Sequence, residues 1–479
     1  MNVTTQSECI SYRLQENVEI RESGDGVVMT SPHCQITLPH LSPGQLRVMI
    51  MLTTTACSMQ QINESLIEAH EENMLATFYR YLSCLMRHQM LFICAESGDQ
   101  NRPLATLIAI SSHFQQRWVA IQRDQAYRMS RFAYVRRDED GCNYIESPLS
   151  HARIRLDHAV AACVVYHLSN AVTPIELAQT LPGEDSNTVT GLLALLVMAN
   201  FVSPTTHEGR LSEEDDETCM QWDFHDLLFH SRSRIGRHDN MVGGTYRFLH
   251  RIPPLPAVKQ TQWPVTLPLP QPDRERIRQV DPGLTAVMDA RASIREYDNN
   301  PVTVAQLGEF LYRVARVKEV HQNGETGDIT KRPYPCSGAA YEIEFYLTID
   351  RCEGLTPGFY WYDPLNHALS FIREANQDTE NMLSEASRSA GGHSRPQILI
   401  NLAARFQRVS WKYQSIAYAL TLKNVGVIYS TMYLVATAMN LAPCALGAGD
   451  SDRFTKLSGT DYLKETSVGE FLLGSKPVK

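Results

Sequence analysis

Up to about residue 250 the apolar positions come in short bursts at helical spacing, broken by polar joints. Beyond about residue 275 they form longer runs that alternate or fill completely. The first pattern predicts short helices with small strands. The second predicts an α/β mixture with buried strands. Between them lies LHRIPPLPAVKQTQWPVTLPLPQPD, whose prolines predict a stiff extended linker or a wrapping arm. We read four segments: a domain at 1–125, a second at 126–250, a proline-rich linker at 251–275 and a larger domain at 276–479.

The first part carries a weak duplication. One copy is GVVMTSPHCQITLPHLSPGQLRVMIMLTTTACSMQQI, a polar gap, and MLATFYRYLSCLMRHQMLF. The other is GCNYIESPLSHARIRLDHAVAACVVYHLSNAVTPIEL, a polar gap, and TVTGLLALLVMANFVSP. Each predicts the order β-β-α-α-α-β, which is the order of a winged helix. The Ser31-Pro32 and Ser147-Pro148 steps fall at corresponding places. Thr173-Pro174 with Glu176 fits a capped helix start with proline at its first position. Winged helices often bind DNA, yet MLATFYRYLSCLMR has only two arginines and TVTGLLALLVMAN no basic residue. A helix in the major groove needs side chains that read bases and neutralise phosphates. A peptide-binding or structural role fits better, with a strand edge as one way to take an extended peptide. In WDFHDLLFHSRSRIGRHDN, Trp222, Phe224, Leu227, Leu228 and Phe229 make an apolar helical face. Arg232, Arg234 and Arg237 then cluster with His230 and His238. That cluster is either a basic last turn favoured by the helix dipole or an anion contact.

In the second half LTAVMDAR predicts a helix that ends in R-A-S-I-R-E-Y, and VAQLGEFLYRVARV predicts an amphipathic one. RPYPCSGAAY is a tight loop of small residues entering the strand EIEFYLTI. GLTPGFYWYDPLNHALSFI reads as a hairpin, PQILINLAARF as a short strand and VGEFLLGSKP as a last strand. Three places carry candidate chemistry. Arg291, Ser293 and Arg295 offer two guanidinium forks and a hydroxyl, suited to a phosphate or a carbonyl-rich ring edge. The loop Pro335, Cys336, Ser337, Gly338 lets a planar group approach the backbone. Lys412 and Tyr413 stand side by side before a very apolar helix. Taken singly, each has an ordinary structural explanation, such as a snorkelling lysine beside a packed tyrosine.

Bulk composition narrows the class. The chain has 479 residues, 43% of them hydrophobic and 20% charged, as in a soluble globular protein. A net charge of -9 argues against a nucleic-acid partner. The longest apolar stretch, around MYLVATAMNLAPCAL, contains Asn440 and Pro443 and falls short of a membrane span. No secretion signal is expected. The 11 cysteines are scattered with no CxxC pair, so reduced thiols in the cytoplasm and no metal site are expected.

In their order and spacing these motifs resemble the FMN-dependent nitroreductase superfamily, and within it the azoline-oxidising branch. The whole chain resembles the cyanobactin thiazoline oxidases. The FHSRSRIGRH segment, which recurs in that group, extends the resemblance across the junction. It implies an α+β fold: an FMN domain with a central antiparallel or mixed sheet and surrounding helices, after two winged-helix-like peptide-clamp domains. The family's phosphate motif matches Arg291, Ser293 and Arg295. Its P-S-[AG]-G-A-L-Y-P loop matches Pro335, Cys336, Ser337 and Gly338, departing at Cys336 and again at Glu342, where proline is usual. Its later glycine loop matches Gly447 and Gly449, and its Lys-Tyr pair matches Lys412 and Tyr413. The resemblance further implies bound FMN, a homodimer, a heterocyclised precursor peptide as substrate and oxygen as final electron acceptor.

The implied reaction removes two hydrogens from a thiazoline ring, or an oxazoline ring. One leaves as hydride, which no side chain can take and a flavin can. The other leaves as a proton and needs a base. Either Lys412 or Tyr413 can fill that role, and the sequence does not choose between them. Two other functions fit the same motifs: a nicotinamide-dependent nitro or quinone reductase, and an inactive peptide-binding scaffold.

Overall fold

The computed structural model describes residues 10–24, 26–31, 34–39, 41–97, 102–117, 120–181, 183–261, 263–392 and 394–478. Pro32, half of the first Ser-Pro step, lies outside the described residues. The chain divides into two compact units, Met1–Asp239 and Asn240–Lys479.

The N-terminal unit is built on a seven-stranded sheet. Its order is Cys57–Ser58, Ser11–Leu14, Leu91–Ser97, Arg102–Ala109, Ala152–Leu156, Asn143–Glu146, Tyr134–Arg137. All its neighbours pair antiparallel. The predicted helix triplets are present at Pro43–Thr54, Met59–Glu68 and Leu75–Arg87, and at Ala159–His167, Pro174–Gln179 and Ser186–Met198. Ser42, Ser58 and Thr173 open three of these helices with reciprocal capping boxes, and Pro174 follows its cap directly. The two copies expected to form separate domains are joined instead. Strand Arg102–Ala109 pairs with Ala152–Leu156 of the second copy, and one core runs through both. Every residue from Thr188 to Met198 is buried, so the third helix of the second copy is a core helix. That burial explains why it has no basic residue.

Only one face of this sheet enters the core. Leu91, Ile93, Leu107, Ala109, Ala152 and Ile154 pack against the helices. The alternate positions, Phe92, Thr106, Ile108, Arg153 and Arg155, line a cleft of about 570 Å³ together with Arg13. Register aligns them into rows. Arg13 stands opposite Phe92, Ile108 opposite Arg153, and Thr106 opposite Arg155.

The C-terminal unit has a second seven-stranded antiparallel sheet. Its order is Val265–Pro268, Ala368–Glu374, Gly358–Asp363, Ile343–Ile349, Ile398–Arg405, Glu465–Ser475, Leu441–Leu446. Both faces are covered. Phe345, Leu347, Ile400, Leu402 and Phe471 pack under helices Val304–Ala315 and Ala417–Ala438. Tyr346, Leu399, Ala403 and Leu472 pack under helices Gln377–Ser389 and Ser451–Ser458. Burying both faces requires continuous apolar strands, and Ile343–Ile349 and Ile398–Arg405 are buried at every position.

The proline-rich stretch is a wrapping arm rather than a free linker. Proline removes backbone donors, so side-chain donors hold its carbonyls. Trp411 Nε1 donates to the Ile252 carbonyl at 2.7 Å, Arg408 to Leu255 at 2.6 Å and Arg405 to Pro256 at 2.8 Å. Lys259 then bonds Glu465 at 2.7 Å, and the arm ends as the edge strand Val265–Pro268.

Candidate active site

Helix Ala417–Ala438 is long and strongly apolar, and three of its polar side chains organise the site. Asn424 lies in its first half and Tyr433 in its second, about 13 Å apart along the axis at 1.5 Å per residue. Tyr429 lies between them. Each fixes a different segment of the predicted site.

Tyr433 holds the Arg291–Arg295 segment. Its hydroxyl shares a 2.7 Å hydrogen bond with Ser293 Oγ and accepts the Ala445 amide at 2.8 Å. The Arg291 guanidinium lies over its ring, 5.4 Å from the centroid. The Ile294 amide donates to the Pro443 carbonyl at 2.9 Å, tying the segment to strand Leu441–Leu446. Arg291 and Arg295 are both exposed, and among the described residues neither pairs with a carboxylate. Two cations without an acid partner, flanking a hydroxyl, fit a phosphate.

Asn424 holds the Cys336–Tyr341 loop. Its side-chain oxygen accepts both the Ser337 amide, at 3.1 Å, and the Ser337 hydroxyl, at 3.0 Å. Its amide group donates to Glu342 at 2.8 Å. Gly338 has φ +56°, and a side-chain carbon there would collide with Tyr413 Oη and Lys412 Nζ. Ala339 and Tyr341 also have positive φ, at 53° and 46°, so this loop stores strain. Arg408 clamps it from the other side. Its guanidinium is buried and donates to the Ala340 carbonyl at 2.9 and 3.1 Å and to the Asp328 carbonyl at 3.1 Å. Burial, with Arg405 and Arg332 nearby, pulls its pKa down to about 10.

Lys412 and Tyr413 reach the exposed side of this loop. Lys412 Nζ donates to the Gly338 carbonyl at 3.3 Å. It also lies 5.4 Å from the Tyr413 ring centroid and 5.6 Å from that of Tyr246. Tyr246 is positioned by its own backbone. The Thr245 and Tyr246 amides both donate to the Lys412 carbonyl, at 2.9 and 3.3 Å. A narrow cleft beside Lys412 is lined by Tyr246, Pro254, Asp328, Gly338 and Trp411.

Tyr429 supports the last predicted segment. Its hydroxyl accepts the Glu470 amide at 2.7 Å and lies 3.5 Å from the Leu446 carbonyl, just before Gly447. Gly447 is exposed with open space where a side chain would stand. Gly449 is crowded instead: a side-chain carbon there would meet the Glu470 carboxyl. Glu470 is buried, which pushes its pKa up.

The structure therefore gathers the Pro335 loop with Lys412 and Tyr413 at one end of the long helix. It sets Arg291–Arg295 at Tyr433, and Tyr429 lies between, at the Gly447 loop. Cys336 does not offer its thiol outward. It donates to Glu342 at 3.3 Å and accepts the Tyr341 amide at 3.1 Å. Pro335 is exposed and contributes shape alone. Sequence reasoning missed Asn424, Tyr429, Tyr433 and Tyr246. For the three helical residues a signal exists: Asn424 interrupts an apolar run, and the two tyrosines follow at i+4 spacing. Nothing in the sequence marks Tyr246. Among the described residues no group of His, Cys, Asp and Glu could hold a metal ion, and no helix is long and apolar enough to cross a membrane.

The nitroreductase family model matches residues 288–474. The C-terminal unit belongs to the nitroreductase superfamily. Residues 127–239, outside this nitroreductase unit, match the family described as cyanobactin oxidase ThcOx. A nitroreductase-type protein of Methanocaldococcus jannaschii is 26% identical over 183 residues, 38% of this chain and 85% of its own. The microcin B17-processing protein McbC of Escherichia coli is 30% identical over 119 residues, 23% of this chain and 42% of its own length. Among solved structures, the Escherichia coli microcin synthetase McbBCD complex with truncated pro-MccB17 is similar over 57% of this chain and 99% of its own, with 19% identity and a TM-score of 0.33. A nitroreductase structure from Ralstonia eutropha covers 48% of this chain and 100% of its own at 19% identity and a TM-score of 0.34.

Proposed function

We propose that the chain is an FMN-dependent oxidase that converts azoline rings, thiazolines first, to azoles in a ribosomally made peptide. The observation that carries this reading is the meeting of Lys412 Nζ and Tyr413 Oη at Gly338, inside the loop held by Asn424. The family matches support the chemistry. The ThcOx-type match and the likeness to McbC support a peptide substrate.

Arg291, Ser293 and Arg295 would hold the FMN phosphate, and the backbone at Ser337, Gly338, Gly447 and Gly449 would lie against the ring and its chain. When bound, FMN supplies the acceptor for the hydride and passes the electrons to oxygen. The chain's own residues handle the proton. Lys412 contacts a carbonyl oxygen and two ring faces, and among the described residues it has no carboxylate partner. These contacts suit an ammonium. In this reading Tyr413, as a phenolate held beside the Lys412 ammonium, takes the proton from the ring carbon on Oη and becomes the neutral phenol. Tyr246, Pro254 and Trp411 would exclude water from that exchange.

In the same reading the N-terminal unit holds the peptide. The winged-helix order in both of its halves and the cleft over its outer sheet face support that role. Large apolar side chains at i,i+4 on two helices of the C-terminal unit support a homodimer: Leu284 and Met288, Tyr418 and Leu422.

The test is mass spectrometry of an azoline-containing peptide incubated in air with FMN-loaded protein. Loss of two hydrogens per ring is expected. An unchanged peptide mass from yellow, flavin-loaded protein overturns the reading. The nitroreductase match ends within the C-terminal unit, which favours a nicotinamide-dependent nitro or quinone reductase as the second reading. Oxidation of reduced nicotinamide with no change in the azoline would put that reading in its place.

A further inference from the structure

Cys336 and Glu342 are two of the positions where the loop departs from the family pattern, and here they touch. Glu342 is fully buried. One carboxyl oxygen accepts the Cys336 thiol hydrogen at 3.3 Å, and the other accepts the Asn424 amide at 2.8 Å. Asn424 passes the constraint on by accepting both Ser337 donors. The Cys336 sulfur passes it on as well, by accepting the Tyr341 amide at 3.1 Å. The Glu342 carbonyl takes the Arg405 amide at 2.9 Å, which fixes the carboxyl's own backbone to strand Ile398–Arg405. Both ends of the strained turn Ser337–Tyr341 are thus tied to one carboxyl. The top of that turn is Gly338, where Lys412 and Tyr413 meet.

We infer that Glu342 is a positioning residue, which acts through Asn424 and Cys336 to set the Ser337–Tyr341 turn for flavin binding and for the Lys412–Tyr413 pair. A polar atom left alone in this pocket would have no water to turn to, so each member depends on the others. The arrangement also accounts for the paired departure. A carboxyl needs a donor where a proline would need none, and the thiol is that donor. Serine could serve equally, because its hydroxyl both donates and accepts.

The inference rests on the proposed reading for the role of Lys412 and Tyr413, but its flavin arm does not. The test compares Glu342→Ala, Glu342→Gln and Cys336→Ser in the full chain. FMN affinity is measured by fluorescence titration of flavin-free protein, and turnover by azoline oxidation. Glu342→Ala should weaken FMN binding about tenfold and slow turnover by at least as much. Glu342→Gln, whose carbonyl can still accept from Asn424, should recover most of both, and so should Cys336→Ser. A purely space-filling role predicts no such recovery pattern. It would let Glu342→Met, of similar volume, match the glutamine variant.

Wild-type affinity in a folded Glu342→Ala protein would overturn the inference. So would a glutamine variant as damaged as the alanine one, or a methionine variant as good as the glutamine one. If Glu342→Ala does not fold, Ser337→Ala removes one of the two bonds to Asn424, and unchanged flavin affinity there counts against the inference. If wild-type protein binds FMN yet leaves azolines unchanged, the functional reading fails, and the affinities alone still decide the role of Glu342.

Discussion

The two seven-stranded sheets differ in how many faces they bury. The C-terminal sheet is packed on both sides, and three of its strands are buried at every position. The N-terminal sheet is packed on one side, with Arg13, Arg153 and Arg155 on the other. Buried acids fall into two kinds: Glu344 and Glu465 of the C-terminal unit pair with Arg405 and Lys259, and others are held without a cation. Among the described residues of the C-terminal unit Glu342 and Glu470 have no cationic hydrogen-bond partner, and burial raises their pKa. In the N-terminal unit burial alone would raise Glu146. Hydrogen bonds from Arg136 at 2.9 Å and Tyr134 at 2.6 Å outweigh it and hold the acid below its ordinary value. A sheet closed on both faces can hold strained loops and buried acids in place. A sheet with one open face leaves a surface for a ligand.

If chemistry belongs to the closed sheet and affinity to the open one, substitutions should separate kcat from KM. The largest effect is expected at the pair. Lys412→Ala and Tyr413→Phe should each slow azoline oxidation about 10²-fold or more while FMN stays bound. Arg155→Ala should leave kcat alone and raise the peptide KM about two- to tenfold. Mass-spectrometric time courses over a range of peptide concentrations measure both. Full activity at Lys412 and Tyr413, or a kcat loss at Arg155, would erase the division.

A smaller effect is expected at the proposed FMN phosphate site. Among the described residues Arg291 and Arg295 have no acid partner to lose, so removing either should act on FMN rather than on folding. Arg291→Ala should weaken FMN about ten- to a hundredfold, the range for a hydrogen bond to a charged group. The melting temperature of the flavin-free protein should hardly move. Unchanged flavin affinity would remove Arg291 from the site.

Glu342 and Glu470 on one side and Glu146 on the other predict opposite pH responses. Glu342 and Glu470 have raised folded pKa values, so the folded state binds more protons than the unfolded one as pH climbs past 4.5. Their contribution is complete below 4.5 and is lost as pH rises toward the folded values. Glu146 has a lowered folded pKa, so its contribution is complete above 4.5 and is lost as pH falls toward the folded value. Hydrogen exchange of Asn143–Glu146 should therefore speed up in acid. That of Ile343–Ile349 should speed up as pH rises, after correction for intrinsic rates. Parallel responses in the two strands would contradict the assignment.

The same difference decides what could be read from the chain. EIEFYLTI and PQILINLAARF announce buried strands because both of their faces are apolar. Thr173-Pro174 announces a helix start because caps are local. The joining of the two N-terminal copies could not be read. Periodicity marks a strand but not its partner, and Arg102–Ala109 meets Ala152–Leu156 across a long separation. At the site, Arg291 to Arg295, the Pro335 loop and the Lys412–Tyr413 pair were legible as motifs. Asn424 was not, because its role depends on Ser337 and Glu342 converging on it from elsewhere in the chain. Glu342 looked like a simple departure until Cys336 supplied its donor.

The smallest predicted effect uses one motif that both units share. Thr173 caps Pro174–Gln179 with Glu176 as its reciprocal partner, and Thr303 caps Val304–Ala315 with Gln306. The geometry matches: the Glu176 and Gln306 amides each donate to the threonine hydroxyl at 3.2 Å. The return bond differs. At Thr173 the amide donates to a carboxylate at 2.9 Å, and at Thr303 to a neutral amide oxygen at 3.0 Å. Replacing either threonine by alanine should destabilise its own unit by about 1 kcal/mol. The two should differ in salt dependence. Added salt screens a carboxylate near a helix N-terminus, so the loss at Thr173→Ala should shrink with salt and that at Thr303→Ala should not. Urea unfolding at low and high salt measures this. Equal salt responses would mean that the charge on Glu176 adds nothing to the cap.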